Sequence, residues 1–143
     1  MKRTVVLFVV LSATAVMSYA ASAATFVDHE KVAAALAKGG TLVTAADLLV
    51  SGSHRDKAGQ VEVHDKETDV IYVIDGTATF VTGGKMTGGK DTTPGQHLGT
   101  GIEGGETHHL VKGDVVVVPA GTPHWFKEVP GTISYYVVKV LKQ

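Results

Sequence analysis

Residues 113–124 read Gly-Asp-Val-Val-Val-Val-Pro-Ala-Gly-Thr-Pro-His, and this stretch decides the fold. The four consecutive valines predict a β-strand, because β-branched side chains favour extended backbone. Residues 119–123 combine proline and glycine, which end the strand in a tight turn. His124 then opens a second short run, residues 124–126, so a histidine begins the strand that follows the turn.

Strand patterns continue on both sides of this stretch. Residues 70–74 and 77–81 are β-branched and aromatic, and Asp75-Gly76 separates them, which predicts a β-hairpin. Residues 133–141 form a further predicted strand. Many short strands separated by glycine and proline predict an all-β sandwich or barrel.

One short helix is predicted near the N-terminus. Asp28 is a good N-cap, residues 29–38 are rich in alanine and end in lysine, and Gly39 follows. Val32 and Leu36 lie four residues apart and share a face, so we expect the helix to pack against a larger element.

Residues 1–23 have the pattern of a secretory signal peptide. Lys2 and Arg3 precede an apolar run at residues 5–11, and the segment ends in Ala-Ser-Ala. The apolar run is shorter than the roughly 20 residues that span a bilayer, which argues against a membrane anchor. We therefore expect an exported protein, periplasmic or secreted, with one mature domain at residues 24–143.

Composition excludes several classes of protein. The chain has no cysteine, which excludes a disulfide framework and a cysteine nucleophile. Its formal net charge is −1 and its lysines are scattered, so no nucleic-acid surface is expected. After removal of the signal peptide no contact with a membrane is expected either.

Residues 83–105 are rich in glycine and polar residues, with Gly-Gly pairs at 83–84, 88–89 and 104–105. We expect a long loop here. Such a loop is either a lid over the mouth of a barrel or a tolerated surface excursion.

Two carboxylates and two histidines are candidate metal ligands. Glu62 and His64 are two residues apart in an extended segment and therefore share a face. Asp69 begins the next strand, and a turn through residues 65–68 would return it beside His64. Far along the chain, His124 follows the Pro-x-Gly turn and begins the next strand. The alternative is a hydrogen-bonded polar cluster without an ion, which would be costly to bury.

These patterns resemble the cupin family. Its second motif is Gly, five residues, Pro-x-Gly, two residues, His, and residues 113–124 keep every spacing. Its first motif is Gly, five residues, His-x-His, three or four residues, Glu, six residues, Gly. Here the first motif is altered and reads Glu62-x-His64, four residues, Asp69, six residues, Gly76.

The resemblance covers about residues 45–141 and implies a single double-stranded β-helix barrel, jelly-roll-like, with a metal inside. It assigns the metal to four residues, Glu62, His64, Asp69 and His124. Two of them depart from the family pattern, because Glu62 replaces the first histidine and Asp69 replaces a glutamate. Mixed imidazole and carboxylate ligands suit Mn²⁺, Fe²⁺, Zn²⁺ or Ni²⁺, and the additional carboxylate favours the harder ions Mn²⁺ and Fe²⁺.

Four further residues are predicted to line the pocket or to support the ligands. Ile71 and Val73 share the face of Asp69, and Phe126 shares the face of His124. His108 either supports a metal ligand or contacts the substrate, or it is a surface histidine.

Two aromatic residues, Tyr72 and Trp125, are expected on the opposite faces, outside the barrel or at a subunit contact, and a homodimer is one such arrangement.

The leading hypothesis is an exported metal-binding cupin that acts on or binds a small organic molecule, as a metal-dependent dioxygenase or isomerase. The alternative is a non-catalytic periplasmic module that binds a small ligand or a metal. Both rest on the resemblance, because one fold hosts many functions.

Overall fold

The structure is a computed structural model that describes residues 23–142. Among these residues it contains one helix and thirteen strands. In chain order the elements are α1 (His29–Lys38), β1 (Gly40–Thr44), β2 (Leu48–Arg55), β3 (Val61–His64), β4 (Glu67–Gly76), β5 (Ala78–Thr82), β6 (Lys85–Thr87), β7 (Lys90–Thr93), β8 (Gln96–Gly99), β9 (Gly101–Glu103), β10 (Glu106–Leu110), β11 (Val115–Val118), β12 (His124–Glu128) and β13 (Ile133–Leu141). Except for Ala23, the predicted signal peptide lies outside the described residues.

The strands form two main antiparallel sheets. The first sheet has the order β1-β2-β13-β4-β11 and the second has the order β10-β5-β12-β3-β8-β7, while β6 and β9 form a separate ribbon. Both main sheets keep free edges, so they do not close into a continuous barrel. The prediction of an all-β domain with one short helix is confirmed.

The core lies between the two main sheets and is built from alternating residues of their strands. In β4, Asp69, Ile71 and Val73 are buried, as the shared face required. Phe80 packs edge-to-face on Phe126 with ring centroids 4.9 Å apart. This apolar layer supports one end of the polar site.

Helix α1 begins and ends where the sequence predicts. The side chain of Asp28 accepts a hydrogen bond from the Lys31 amide at 2.9 Å, and Gly39 follows the last turn. Ala35 is its fully buried residue and packs on Gly52 of β2, where an added Cβ would lie 2.8 Å from Ala35. The helix is ten residues long and is not long and apolar enough to cross a membrane.

The hairpin predicted at Asp75-Gly76 is wrong. The two strands that it joins do not pair, because β4 pairs with β13 and β11 in the first sheet, whereas β5 pairs with β10 and β12 in the second. Gly76 has a φ of 82° and forms a corner between the sheets. An Asp-Gly pair permits positive φ equally well in a hairpin turn and at a corner, so the local sequence does not distinguish them.

The long loop predicted at residues 83–105 is also wrong, since this segment contains β6, β7, β8 and β9. Strand β8 pairs with β3 and extends the second sheet, and β7 pairs with β8. All four residues of β7 are exposed, so the strand has no alternation of apolar and polar residues by which the sequence would reveal it. The segment is therefore ordered β structure: β7 and β8 belong to the second sheet, and β6 and β9 form the separate ribbon.

Candidate metal centre

The four predicted ligands meet between the two sheets. Glu62 and His64 lie on β3, and His124 of the neighbouring β12 is in register with Glu62. Asp69 faces them from β4 in the first sheet. His64, Asp69 and His124 are buried, at 8%, 4% and 4% exposure.

Their polar atoms converge. His64 Nε2 lies 3.6 Å from Glu62 Oε2 and 3.6 Å from Asp69 Oδ2. His124 Nε2 lies 3.7 Å from the same Asp69 oxygen. Ligand atoms of Glu62, His64 and His124 all lie within 4.8 Å of one another, which is compatible with one shared ion.

Both histidines present the Nε2 lone pair to this centre. His64 Nδ1 donates to Gln96 Oε1, and His124 Nδ1 donates to the Thr122 carbonyl at 3.2 Å. Gln96 is itself oriented, because its Nε2 donates to Glu67 Oε1 at 2.8 Å. An oxygen acceptor at Nδ1 places the proton there and leaves Nε2 free to ligate a metal.

The strongest sign of an ion-binding site is an orphaned atom. Among the described residues, His64 Nε2 is buried and has no hydrogen-bond partner. A buried polar atom without a partner is unfavourable and rare in folded proteins. An ion held by His64, His124 and Glu62 would satisfy it, so the residues present fit a divalent metal.

Glu62 is anchored from outside the centre. Arg55 Nη2 donates to Glu62 Oε1 at 3.2 Å, which leaves Oε2 on the side of His64. Burial raises the pKa of Glu62, but the nearby His64 imidazole and the charge of Arg55 outweigh burial and lower the pKa to about 2. Glu62 is therefore a carboxylate at neutral pH.

The two histidines differ in their electrostatic environment. Burial lowers the pKa of His124 below its ordinary value. Burial also acts to lower the pKa of His64, but the nearby carboxylates of Glu62 and Asp69 outweigh it, so the net shift is upward. A metal at this centre must therefore compete with a proton on His64.

Lys139 and Glu67 are part of this environment, although the sequence analysis did not identify them. Lys139 of β13 is in register with Asp69, and its Nζ lies 2.9 and 3.0 Å from the two Asp69 oxygens and 2.9 Å from Glu67 Oε2. Burial lowers the pKa of Lys139, but the hydrogen bonds to Asp69 and Glu67 outweigh burial and raise the pKa. The sequence did hold a signal: Lys139 falls on the inward row of β13 with Tyr135 and Val137.

A cavity of about 230 Å³ opens beside the ligands. Ile71 and Phe126, two of the predicted pocket residues, line it together with Ser51, Ser53, Gln60 and Tyr135. Val73 does not line this cavity but lies fully buried in the apolar core.

His108 is not brought to the cavity. It lies on β10 at the far edge of the second sheet, and β5 and β12 stand between β10 and β3. Its side chain is 38% exposed and its Nε2 lies 3.8 Å from Glu106 Oε1.

Comparison with known proteins identifies a family. A family model described as Cupin matches residues 8–140. The comparison with curated protein sequences finds no relative.

Solved structures share the architecture. A Klebsiella pneumoniae protein with a double-stranded beta-helix domain is 17% identical, with a TM-score of 0.50, over 72% of this chain and 70% of its own. A Bacillus halodurans protein is 16% identical, with a TM-score of 0.53, over 72% and 69%. An RmlC-like cupin family protein of Methanocaldococcus jannaschii is 16% identical, with a TM-score of 0.48, over 71% and 76%. At these identities the likeness to the Klebsiella pneumoniae and Bacillus halodurans structures shows the fold alone, and the predicted double-stranded β-helix is confirmed.

Proposed function

The chain belongs to the cupin family, and we propose that it is an exported metal-binding cupin that acts on, or binds, a small organic molecule. One observation carries the proposal: the buried, unpartnered Nε2 of His64 converges with His124 and Glu62 at the wall of a cavity.

The donor atoms indicate the class of ion. Two imidazole nitrogens with a carboxylate oxygen, and no thiolate, suit Mn²⁺, Fe²⁺, Zn²⁺ or Ni²⁺, and the carboxylate favours the harder ions Mn²⁺ and Fe²⁺. Such an ion supplies Lewis acidity and open coordination positions when bound. The protein fixes both histidines through Nδ1 and holds Glu62 ionised through Arg55.

The cavity indicates the size and character of the ligand. About 230 Å³ is smaller than the roughly 300–1,000 Å³ of pockets for drug-sized molecules, so the ligand is small. Ser51, Ser53 and Gln60 offer hydrogen bonds, whereas Ile71 and Phe126 offer an apolar wall. This mixture suits an oxygenated organic molecule with a short hydrocarbon part.

Metal titration of the purified chain tests the proposal. We expect one of Mn²⁺, Fe²⁺, Zn²⁺ or Ni²⁺ to raise the melting temperature, because a ligand at 100 times its Kd stabilises the folded state by about 2.7 kcal/mol. His64→Ala and His124→Ala should each abolish the shift. The control His108→Ala, which changes a histidine outside the cavity, should retain it.

Absence of any shift, together with no metal in elemental analysis of the isolated protein, would overturn metal binding. If a metal binds tightly, oxygen consumption and turnover with phenols, diketones and sugars then separate a dioxygenase or isomerase from the alternative, a non-catalytic module for a small ligand or metal. Turnover that is lost in His64→Ala supports the enzyme. Tight metal with no turnover across the panel supports the binding module.

The proposed location, periplasmic or secreted, rests on the pattern of residues 1–23. Cell fractionation and intact-mass measurement of the expressed full chain test it. We expect the protein outside the cytoplasm with a mass that corresponds to residues 24–143. A cytoplasmic protein of full mass would contradict the proposal.

A further inference from the structure

Two sets of candidate ligand atoms share His64, and only one of them lies beside the Lys139 ammonium. Glu62, His64 and His124 form one set, and His64, Glu67 and Asp69 form the other. In each set the atoms lie within 4.8 Å of one another. The difference between the sets is the position of the Lys139 ammonium.

Lys139 already contacts both carboxylates of the second set. Its three close contacts, to both oxygens of Asp69 and to Glu67 Oε2, are 2.9 to 3.0 Å long. An ammonium has three donor hydrogens, so it can bind both carboxylates at once. A divalent ion bound to the same oxygens would lie next to a partly buried positive charge.

The ion pair is also fixed by the backbone. Lys139 and Asp69 are directly opposite in the β13–β4 register, and their side chains are only 21% and 5% exposed. If Asp69 turned to a metal, the ammonium would lose its bidentate partner in a partly buried position and would keep only Glu67. Loss of a partner from an ion pair that is shielded from water is unfavourable.

The first set has no such conflict. Arg55 contacts Oε1 of Glu62, whereas Oε2 is the oxygen 3.6 Å from His64 Nε2. The positive charge of Arg55 therefore lies behind the carboxylate and not between the ligand atoms. His64 Nε2 and His124 Nε2 carry no proton in the tautomers that their Nδ1 contacts select.

We propose that this cupin holds its metal with three protein ligands, Glu62, His64 and His124, and that Lys139 keeps Asp69 out of the coordination sphere. The inference rests on the proposed metal binding and departs from the four-residue set that the family resemblance implies. Lys139 is thus a positioning residue that acts through Asp69. Two histidines and one carboxylate, with open positions, are the donor set of non-haem iron(II) oxygenases.

The number of water molecules on bound Mn²⁺ gives the direct test. On a six-coordinate ion, three protein ligands leave about three inner-sphere waters, and four ligands leave about two. Water-proton relaxation of the wild-type Mn²⁺ complex measures this number without any substitution. About three waters supports the proposal, and about two overturns it.

A charge-matched double variant gives the second test. Asp69→Asn with Lys139→Met removes one negative and one positive charge, so the net charge near the site stays the same. We expect its Kd for Mn²⁺ to stay within about tenfold of wild type, whereas Glu62→Gln loses more than about 100-fold, beyond the 10–100-fold typical of supporting residues. Equal losses in the two variants would show that Asp69 is a ligand.

Lys139→Met alone covers the case in which the double variant does not fold. It releases Asp69, which should then join the ion, tighten Mn²⁺ binding and reduce the inner-sphere waters from about three to about two. An unchanged count of about two in wild type and variant would overturn the proposal. A wild-type protein that binds no metal at all contradicts the proposed function instead, so the two failures are distinguishable.

Discussion

At the scale of single residues, the orientation of the His64 imidazole depends on a hydrogen bond to a residue outside the two cupin motifs. Gln96 accepts from His64 Nδ1 and donates to Glu67, so two residues fix the imidazole. Such outer contacts typically contribute 10–100-fold to metal affinity. The centre therefore relies on β8, a strand that the sequence did not reveal.

We expect Gln96→Ala to weaken metal binding by about 10–100-fold without loss of the fold. The reason is that His64 loses the acceptor that selects its tautomer and orientation. Isothermal titration with Mn²⁺ measures the change. Gln60→Ala is the matched control, since Gln60 lines the cavity beside the ligands, whereas His64 Nδ1 contacts Gln96. Equal Kd values for the two variants would contradict this role.

Glu62 gives the metal-free protein a pH-dependent stability. Its pKa is about 2 in the folded state and 4.5 ordinarily, so the unfolded chain binds this proton more readily. The ionised form contributes stability above pH 4.5, and this contribution declines and is lost as the pH falls to about 2.

As the pH is lowered from 4.5 to about 2, we therefore expect the free energy of unfolding to decrease less steeply in Glu62→Gln than in wild type. Urea denaturation in the presence of a chelator, at several pH values, measures the slope. A carbon NMR titration of Glu62 is the independent check, and a midpoint near 4.5 would contradict the expectation.

At the scale of elements, the corner at Gly76 decides which sheet each strand joins. Its φ is 82°, and an added Cβ would lie 1.9 Å from the Thr132 carbonyl oxygen. Gly113 also has positive φ, at 94°, but no atom lies within 4 Å of its added Cβ. The two glycines therefore separate backbone strain from steric clash.

We expect Gly76→Ala to lower the free energy of unfolding by about 3 kcal/mol or more, through strain and clash together. Gly113→Ala should lower it by only about 1 kcal/mol, through strain alone. Urea denaturation of both variants measures the difference. Equal decreases in the free energy of unfolding would show that the clash with Thr132 adds nothing to the backbone strain.

The sequence predicts elements well where local chemistry determines them. The helix at residues 29–38 follows from its caps, and the buried face of β4 follows from alternation. The same reasoning misassigned Asp75-Gly76, because the partner of a strand depends on residues distant along the chain. It missed β7, because polar residues on both faces of an exposed strand have no apolar period.

At the scale of the whole molecule, the same limit applies to the site. The motif spacing brought Glu62, His64, Asp69 and His124 to one place, since each spacing is tied to a turn or strand. Lys139 lies 70 residues from Asp69, and no spacing rule links them. The contact by which Lys139 holds Asp69 away from the metal can be recognised only in the folded structure.

The free edge strands differ in charge and exposed apolar surface, and this difference indicates which edge could form a homodimer. The edge strand β7 carries Lys90 and Asp91, whereas residues 115–118 of the edge strand β11 are all valine. Val115 and Val117 are 60% and 58% exposed, and Tyr72 beside them on β4 is 44% exposed. Charged residues protect an edge from pairing with another chain, and β11 has none.

We therefore propose a homodimer in which the β11 strands of two copies meet, since antiparallel pairing about a two-fold axis is self-complementary. Light scattering after size-exclusion chromatography should give twice the mass of the chain. Val117→Lys should give the monomer with unchanged metal binding, because a lysine blocks an edge. Thr92→Lys on β7 is the control and should remain dimeric. A monomeric wild type would contradict the homodimer. A dimer that persists in Val117→Lys would show that the subunits meet at another surface.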